Sequence, residues 1–258
     1  MIIKIAKNEK NLLEQAVGDN VYLDAVVLSD FLAYGDYGIS SVYIFTDGAN
    51  KPQGAFTVYG SSISATVKEG ANIDELLDFC EMSPEIKSLE LPVGAAKAAA
   101  ERFNAKPDLH NIMLYNGKEK PESKLSIDFT PQLWQIYKLL QQVSPEFMRQ
   151  SGFESWLVDK SHKRRHRIAE LALVFDGGQA AATGGIYSKT PQYAVIESVA
   201  TLPEFRGKGY ATEIVCALVN KALKQGCKPV LSCGDGLVPF YQRLGFDKFD
   251  EFASICIK

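Results

Sequence analysis

Residues 197–212 form the segment whose residue types and spacing point most directly to chemistry. A strand-like stretch runs into a turn with two glycines, Gly207 and Gly209, and then into a helix-like stretch. Glycine lets a backbone approach a ligand without an obstructing Cβ, and the first N–H groups of a helix lack intrahelical acceptors. Such a junction binds anions, and Arg206 and Lys208 add positive charge to it. The segment therefore predicts a pyrophosphate site.

Other phosphate-binding motifs do not fit this segment. A Walker A loop needs Lys after its last glycine, where Tyr210 stands, and a dinucleotide fingerprint needs a third glycine, where Thr212 stands. The alternative is that the glycines only form a tight turn and Arg206 is a surface cation. The longer pattern Val-x-x-x-Pro-x-x-Arg-Gly-x-Gly-x-Ala, which begins at Val199, favours a binding site.

Two motifs in this order resemble those of the GNAT superfamily of acetyl-CoA-dependent N-acetyltransferases. The family signature Arg/Gln-x-x-Gly-x-Gly/Ala is matched by Arg206-Gly207-Lys208-Gly209-Tyr210-Ala211. An aromatic-x-x-x-Gly-Phe segment at the end of the next helix is matched from Tyr241 to Phe246. The resemblance covers roughly residues 125–258. Residues 1–124 resemble, by the order of their elements alone, the degenerate N-terminal halves of two-domain members.

This resemblance implies an α/β (α+β) fold, in which a mixed, mostly antiparallel twisted sheet is flanked by helices, in two tandem copies. Residues 125–258 would be the catalytic domain and residues 1–124 a degenerate copy. Acetyl-CoA would be the co-substrate, and a primary amine would attack its thioester directly in a ternary complex. A non-catalytic acyl-CoA-binding sensor or interaction module is the alternative, and neither the acceptor nor the oligomeric state can be predicted.

The resemblance also implies roles for individual residues. The strand before the signature would offer free backbone groups to the pantetheine arm and the thioester carbonyl, and the turn and helix start would bind the pyrophosphate. The coenzyme-binding residues would be Val199, Ala200, Thr201, Arg206, Gly207, Lys208, Gly209, Tyr210, Ala211 and Thr212.

Tyr241 and Glu197 are the candidate catalytic residues. Tyr241 matches the tyrosine that often protonates the departing thiolate in this family, although it could instead be a core residue whose hydroxyl reaches solvent. Strand alternation places Glu197 on the face shared by Val195, Val199 and Thr201, where a carboxylate is usually paired or functional. Glu197 could accept the amine proton, but a water chain or a structural ion pair would fit equally well.

The elements that must position these residues follow from periodicity and capping. Hydroxyls at Thr130, Ser144 and Ser151 predict three helix starts in the second half. The second half then continues with strands at 168–175, 180–187 and 193–201, a helix at 210–225, a strand at 229–232, a helix from about 235 to 244, and two short strands. The first half repeats this order with strands at 42–45, 55–59 and 63–67, a helix at 73–81, a strand at 88–91, a helix at 95–103 and a strand at 109–115.

Composition excludes several classes of protein. With 46% hydrophobic and 23% charged residues among 258, the chain is neither disordered nor collagen-like. Five cysteines without a Cys-x-x-Cys pair predict free thiols, and three histidines without a ligand pattern predict no metal. A pI near 5.7 argues against a nucleic-acid surface. We expect a cytoplasmic protein with no membrane partner, because no apolar stretch reaches about 18 residues.

Two further groups on the second-half helices have ordinary structural explanations. Trp134, Tyr137 and Trp156 occur at helical spacing and are predicted to be core residues. The basic run 160–167 is predicted to be a solvated helix end, with an anion-binding role toward the acceptor as the alternative.

Overall fold

The computed structural model describes residues 1–35, 40–118, 123, 125–145 and 152–257. The chain divides into two compact units, which we call unit 1 and unit 2. Unit 1 comprises Met1–Met113, Cys233–Val238 and Lys248–Lys258, and unit 2 comprises Leu114–Ser232 and Pro239–Asp247. The division of the chain into two functional domains at residue 124 stays a prediction. The compact units divide after Met113, and unit 1 also contains two segments from the C-terminal part of the chain.

Unit 1 is built on strands β1 to β6 together with part of the last strand, β12. The strands are β1 (Ile2–Lys4), β2 (Ser41–Thr46), β3 (Pro52–Tyr59), β4 (Ser62–Val67), β5 (Ser88–Pro92), β6 (Asp108–Tyr115) and β12 (Phe246–Cys256). The helices are α1 (Lys10–Ala16), α2 (Val21–Tyr34), α3 (Asp74–Met82) and α4 (Val93–Arg102).

The strands of unit 1 lie in the order β1-β2-β3-β4-β5-β12-β6. Strands β1 to β4 pair antiparallel, β4 and β5 pair parallel, and β12 pairs antiparallel with β5. One hydrophobic cluster packs α3 and α4 against the sheet through residues such as Leu76, Ala96 and Ile255. A second cluster packs α1 and α2 through Leu13 and Phe31. The sheet of unit 1 is therefore flanked by helices.

Unit 2 contains strands β7 to β11 and helices α5 to α8. The strands are β7 (Ile127–Asp128), β8 (Glu170–Asp176), β9 (Gln179–Lys189), β10 (Tyr193–Thr201) and β11 (Lys228–Cys233), and the helices are α5 (Leu133–Val143), α6 (Phe153–Arg165), α7 (Tyr210–Lys224) and α8 (Val238–Arg243). The strand order is β11-β10-β9-β8-β7, with a parallel β10–β11 pair and antiparallel pairs elsewhere.

Two adjacent glycines of β9 allow close packing on the two faces of this sheet. A Cβ at Gly184 would lie 2.8 Å from Ile214 Cγ2, so this glycine lets α7 approach the sheet. A Cβ at Gly185 would lie 2.9 Å from Tyr187 Cε2, on the other face. Tyr187 belongs to the cluster that packs α5 and α6 on the sheet, together with Leu139 and Trp156.

Both units follow the same order of elements, and from the meander onward this is the order that the sequence predicts. Among the described residues of each unit, two helices precede an antiparallel three-stranded meander, which a helix connects to a parallel fourth strand, and a further helix and strand follow. The meander is β2-β3-β4 in one unit and β8-β9-β10 in the other. The predicted mixed, mostly antiparallel fold with flanking helices in two tandem copies is confirmed.

Several local predictions need correction. The first helix of unit 2 is capped at Gln132 rather than Thr130, whose N–H and hydroxyl instead bond Asp128 Oδ1. The two short strands predicted at the C-terminus are a single strand of 11 residues, β12. The predicted helix start at Ser144 leads into residues outside the described part of the chain, where Ser151 also lies.

The aromatic and basic residues of α5 and α6 differ in part from expectation. Trp156 is buried as predicted, but Trp134 is 53% exposed, because it lies on the solvent side of α5. The basic run is not wholly solvated: Lys163 is buried, and its Nζ lies 3.7 Å from Oδ1 of the buried Asp159. Lys160 Nζ lies 2.6 Å from Oδ2 of the same carboxylate. Burial of the Lys163 ammonium group is tolerated because a carboxylate accompanies it.

Within the described ranges, no helix is long and apolar enough to cross a bilayer.

Candidate active site

The turn between β10 and α7 requires its two glycines for their backbone conformation. Gly207 has φ +80° and Gly209, the N-cap of α7, has φ +84°. Side chains are disfavoured in this left-handed region. No atom outside the neighbouring residues lies within 4 Å of a Cβ built on either glycine, so the space beside the turn is open. The turn can therefore receive a ligand at close range.

The amides of this turn and of the first helical turn remain available. The first intrahelical bond of α7 runs from Glu213 N–H to Gly209 O, at 3.1 Å. Within the described part of the chain, N–H groups of residues 207–212 donate to no backbone carbonyl. Several donors and the positive end of the helix dipole thus share one site. This arrangement suits a pyrophosphate, as the sequence predicts.

The cations of the turn differ in how they are held. Arg206 is exposed, and its Nε donates to Thr201 O at 3.3 Å. Lys208 Nζ forms an ion pair with Asp176 Oδ2 at 2.7 Å, and Tyr210 donates its hydroxyl hydrogen to the same oxygen at 2.8 Å. The hydrogen bond from Lys208, followed by that from Tyr210, lowers the pKa of Asp176. Lys208 therefore ties the turn to β8, whereas Arg206 carries its charge at the surface.

Strand β10 bends away from regular pairing immediately before the turn. Its parallel register with β11 ends at the pair Ile196–Leu231. Its register with β9 shifts between Glu197 and Ala200, and Ser198 within this bulge has φ +55°. A bulge leaves its extra residue unpaired and re-aims the neighbouring side chains. Beyond Ile196, β10 stays paired with β9 but is no longer in register with β11, which fits the backbone role that the resemblance implies for its end.

The bulge changes which side chains share a face. Glu197 pairs with Gly185, so its side chain lies on the face of α5 and α6, whereas Val199 Cγ2 lies near Gly184 on the α7 face. The prediction that strand alternation places Glu197 and Val199 on one face is therefore wrong, because two residues of β10 oppose a single residue of β9 at the bulge. Ala200 is buried in the cluster of α5 and α6.

Thr201 ends β10 with an unsatisfied hydroxyl. Its Oγ1 is buried and has no hydrogen-bond partner within the described ranges. Buried polar groups are rarely left unpaired, so an exception such as this one needs an explanation. This hydroxyl and the open glycine turn fit a coenzyme that enters along the end of β10.

Tyr241 lies on α8, in an aromatic cluster of unit 2. Its ring is 6% exposed and packs edge-on against Phe240 and Phe246, at centroid distances of 5.0 and 5.9 Å. Phe246 also packs on Tyr115. The second sequence motif thus fixes the ring of Tyr241, and the catalytic role of its hydroxyl stays a prediction.

Tyr187 is a residue beside Glu197 that sequence reasoning missed. It is 1% exposed, and burial, with a smaller contribution from the Glu197 charge, raises the pKa of its phenol above the ordinary value. The preceding Gly184-Gly185 pair is the signal that could have found it, because glycine inside a strand marks a close approach.

The corresponding turn of unit 1 lacks the features that bind an anion. It reads Lys68-Glu69-Gly70-Ala71 and leads to α3, whose first turn carries Asp74 and Glu75. Carboxylates at a helix N-terminus compete with a bound anion for the amides and repel its charge. The turn before α7 in unit 2 therefore has the anion-binding geometry, and the corresponding turn of unit 1 does not.

Residues 132–246 match the model of the acetyltransferase (GNAT) family. The matched segment contains the bulge of β10, the glycine turn and Tyr241. The chain thus contains a GNAT-family acetyltransferase domain, and the resemblance read from the sequence is confirmed. Among curated proteins none matches the chain.

Solved structures of low sequence identity share the fold over the whole chain. A GCN5-related N-acetyltransferase from Sphaerobacter thermophilus is 15% identical, with 99% of this chain and 94% of that chain covered and a TM-score of 0.65. A tandem GNAT protein from the clavulanic acid biosynthesis pathway is 13% identical, with 100% and 98% covered and a TM-score of 0.59. A GNAT-family acetyltransferase from Colwellia psychrerythraea is 14% identical, with 100% of each chain covered and a TM-score of 0.56.

Proposed function

We propose that the chain transfers the acetyl group of acetyl-CoA to a primary amine, by direct attack within a ternary complex. The observation that carries this proposal is that three structural features follow one another in unit 2: a bulged strand end, an open two-glycine turn and a helix start with available amides. Acetyl-CoA supplies an acetyl group activated as a thioester. That the domain is an acyltransferase follows from the family match. That its acceptor is an amine is part of the proposal.

The backbone of β10 and the turn would bind the coenzyme. Amides of residues 207–211 hold the pyrophosphate, with Thr212 completing the first helical turn and Arg206 adding an exposed positive charge. Backbone groups of Val199, Ala200 and Thr201 hold the pantetheine arm. Amide donors among these three residues stabilise the negative charge that develops on the carbonyl oxygen during attack.

Two side chains would move the protons. Glu197 accepts a proton from the acceptor amine as its nitrogen bonds to the acetyl carbon. The carbon–sulfur bond breaks, and Tyr241 donates its phenolic proton to the departing thiolate. An ordinary phenol and a thiol have comparable acidities, so this transfer is chemically suitable. The proton taken by Glu197 leaves to solvent, and a proton from solvent restores Tyr241.

The release of free thiol from acetyl-CoA tests this proposal. The full chain is incubated with acetyl-CoA and, in turn, lysine, spermidine, glucosamine, tyramine and a peptide with a free N-terminus. We expect thiol release that depends on at least one amine, with the acetylated amine identified by mass spectrometry. Coenzyme binding without amine-dependent release would instead indicate a non-catalytic acyl-CoA sensor.

Substitution of Tyr241 by Phe separates binding from catalysis. The ring and its packing on Phe240 and Phe246 remain, so the affinity for acetyl-CoA should be unchanged. Turnover should fall by roughly 10²- to 10⁴-fold, as expected for a lost general acid. Unchanged turnover, or an equal loss of binding and turnover, would remove Tyr241 from the mechanism.

A further inference from the structure

The hairpin that joins β8 to β9 lies beside the glycine turn of the proposed coenzyme site. Asp176 ends β8, Gln179 begins β9, and these two residues pair with each other across the hairpin. The two residues between them, Gly177 and Gly178, have φ +58° and +83°. Positive φ at both central residues is typical of a two-residue hairpin loop, whose twist matches that of the flanking strands. The end of the hairpin therefore has a well-defined backbone.

Asp176 binds two residues of the coenzyme site through a single carboxylate oxygen. Its Oδ2 accepts a hydrogen bond from Lys208 Nζ at 2.7 Å and another from the Tyr210 hydroxyl at 2.8 Å. Lys208 is the residue between the two glycines of the turn, and Tyr210 is the first residue of α7. The carboxylate therefore connects the middle of the turn to the start of the helix whose amides are available.

Two further contacts hold the segment between β10 and the glycines on the same hairpin. Leu202 N–H donates to Ala181 O at 2.9 Å. Gln179 Nε2 donates to Glu204 Oε1 at 3.3 Å. Because Gln179 is the pairing partner of Asp176, both side chains lie on one face of the sheet. The hairpin thus contacts the connection from β10 to α7 on both sides of the glycines.

The two glycines make this restraint important for binding. A segment that contains Gly207 and Gly209 can adopt many backbone conformations, and a ligand that orders a flexible loop loses affinity to the entropy of ordering. The space around both glycines is open, so packing against them does not fix the shape of the turn. Hydrogen bonds to Asp176 restrain the turn on either side of Gly209. The cost of ordering the turn is thereby met before the coenzyme arrives.

The charge of Asp176 would by itself oppose coenzyme binding. A carboxylate repels a pyrophosphate, and it also neutralises the Lys208 ammonium, which would otherwise attract the anion. Both side chains are partly exposed, 32% for Asp176 and 50% for Lys208, and an exposed ion pair adds little to the stability of a fold. A role in holding the turn accounts for an acidic residue beside an anion site.

We propose that Asp176 is a positioning residue for the coenzyme site. Its carboxylate holds Lys208 and Tyr210, and so keeps the amides of the turn in the orientation that binds the pyrophosphate. Asp176 itself does not contact the coenzyme. This inference rests on the coenzyme-binding part of the proposed function, and it adds the β8–β9 hairpin to the elements that form the site.

Calorimetric titration of the full chain with acetyl-CoA tests this assignment by the sign of the effect. If Asp176 acted only through its charge, Asp176→Ala would bind the anionic coenzyme more tightly than the wild type does. A positioning role instead predicts that Asp176→Ala binds acetyl-CoA about tenfold more weakly, because the turn must then be ordered on binding. Tyr210→Phe removes one of the two hydrogen bonds without a change of charge, and should weaken binding about threefold.

A double-mutant cycle shows whether the two side chains act together. Tyr210→Phe should cause no further loss of affinity in the Asp176→Ala background, because the acceptor of its hydrogen bond is already absent. In thiol release with the amine that reacts fastest, Asp176→Ala should raise the KM for acetyl-CoA and keep the kcat of the wild type. A residue that only supports the fold would not separate KM from kcat in this way.

Glu204→Gln is the matched control for charge. Glu204 is another exposed carboxylate of the same connection, and a glutamine oxygen there can still accept the hydrogen bond from Gln179. This variant should bind acetyl-CoA at least as tightly as the wild type. Unchanged or tighter binding by Asp176→Ala, unchanged binding by Tyr210→Phe, or additive losses in the cycle would each overturn the inference. An equal loss of affinity in Glu204→Gln would also overturn it.

The same titrations separate this inference from the proposed function. Normal thiol release together with unchanged affinity in Asp176→Ala overturns the inference and leaves the acetyl transfer standing. If the coenzyme binds but no amine is acetylated, the proposed transfer fails, and the cycle of affinities decides the inference. If the wild type does not bind acetyl-CoA, both fail.

Discussion

Substitution of Thr201 by Val should stabilise the protein in the absence of coenzyme. The hydroxyl of Thr201 is buried and without a partner in the described ranges, and such a group costs about 1–3 kcal/mol. Valine has a similar shape and removes that cost. We therefore expect the free energy of unfolding to rise by about 1 kcal/mol, the lower end of this range.

Thr183 on the neighbouring strand β9 provides the matched control. Its side chain is fully buried, and its hydroxyl donates to Ala172 O at 2.9 Å. Thr183→Val breaks this hydrogen bond, so the free energy of unfolding should fall by about 1 kcal/mol or more. The same chemical change is thus expected to have opposite signs at two nearby positions.

Urea denaturation and calorimetric titration with acetyl-CoA measure the two effects. If the Thr201 hydroxyl serves the coenzyme, Thr201→Val should bind acetyl-CoA about three- to tenfold more weakly, the value of one hydrogen bond. Thr183→Val should bind it with unchanged affinity. A Thr201→Val protein destabilised as much as Thr183→Val, with normal affinity, would refute the reasoning.

Two further predictions concern the turn. Gly209→Ala and Gly60→Ala should each lose roughly 1–2 kcal/mol of stability, because both glycines have positive φ and open surroundings. Only Gly209→Ala should also weaken acetyl-CoA binding in titration. The pKa of Asp176 is lowered chiefly by Lys208, so its stabilising effect is present above pH about 4 and is lost as the pH falls through the lowered pKa. The melting temperature of Asp176→Asn should therefore be below that of the wild type at pH 7 and approach it in acid; a constant difference would contradict this.

Most elements of the fold could be predicted because their apolar residues repeat with a clear period. The strand predicted at 63–67 is β4 (Ser62–Val67), and the helix predicted at 210–225 is α7 (Tyr210–Lys224). Helix α2 was not predicted, because its buried residues lie on almost every side and include Asp30 and Ser29. No amphipathic stripe marks such a helix.

The glycine turn could be predicted from sequence, but the surroundings of Glu197 could not. Gly207 and Gly209 are constrained locally by φ, so their spacing is visible in the chain itself. The bulge at Ser198 depends on pairing with β9, and a strand alternation read from sequence assumes that no such bulge exists. The position of Tyr187 beside Glu197 depends on the same pairing, and was therefore missed.

Binding of acetyl-CoA at the turn before α7 is the central claim, and the melting temperature of the full chain with increasing acetyl-CoA tests it most directly. At a hundredfold excess over the dissociation constant, the coenzyme should stabilise the protein by about 2.7 kcal/mol. Arg206→Glu, which reverses an exposed charge beside the amides, should abolish the shift. An unchanged melting temperature of the wild type at millimolar acetyl-CoA, or an equal shift in Arg206→Glu, would contradict the account.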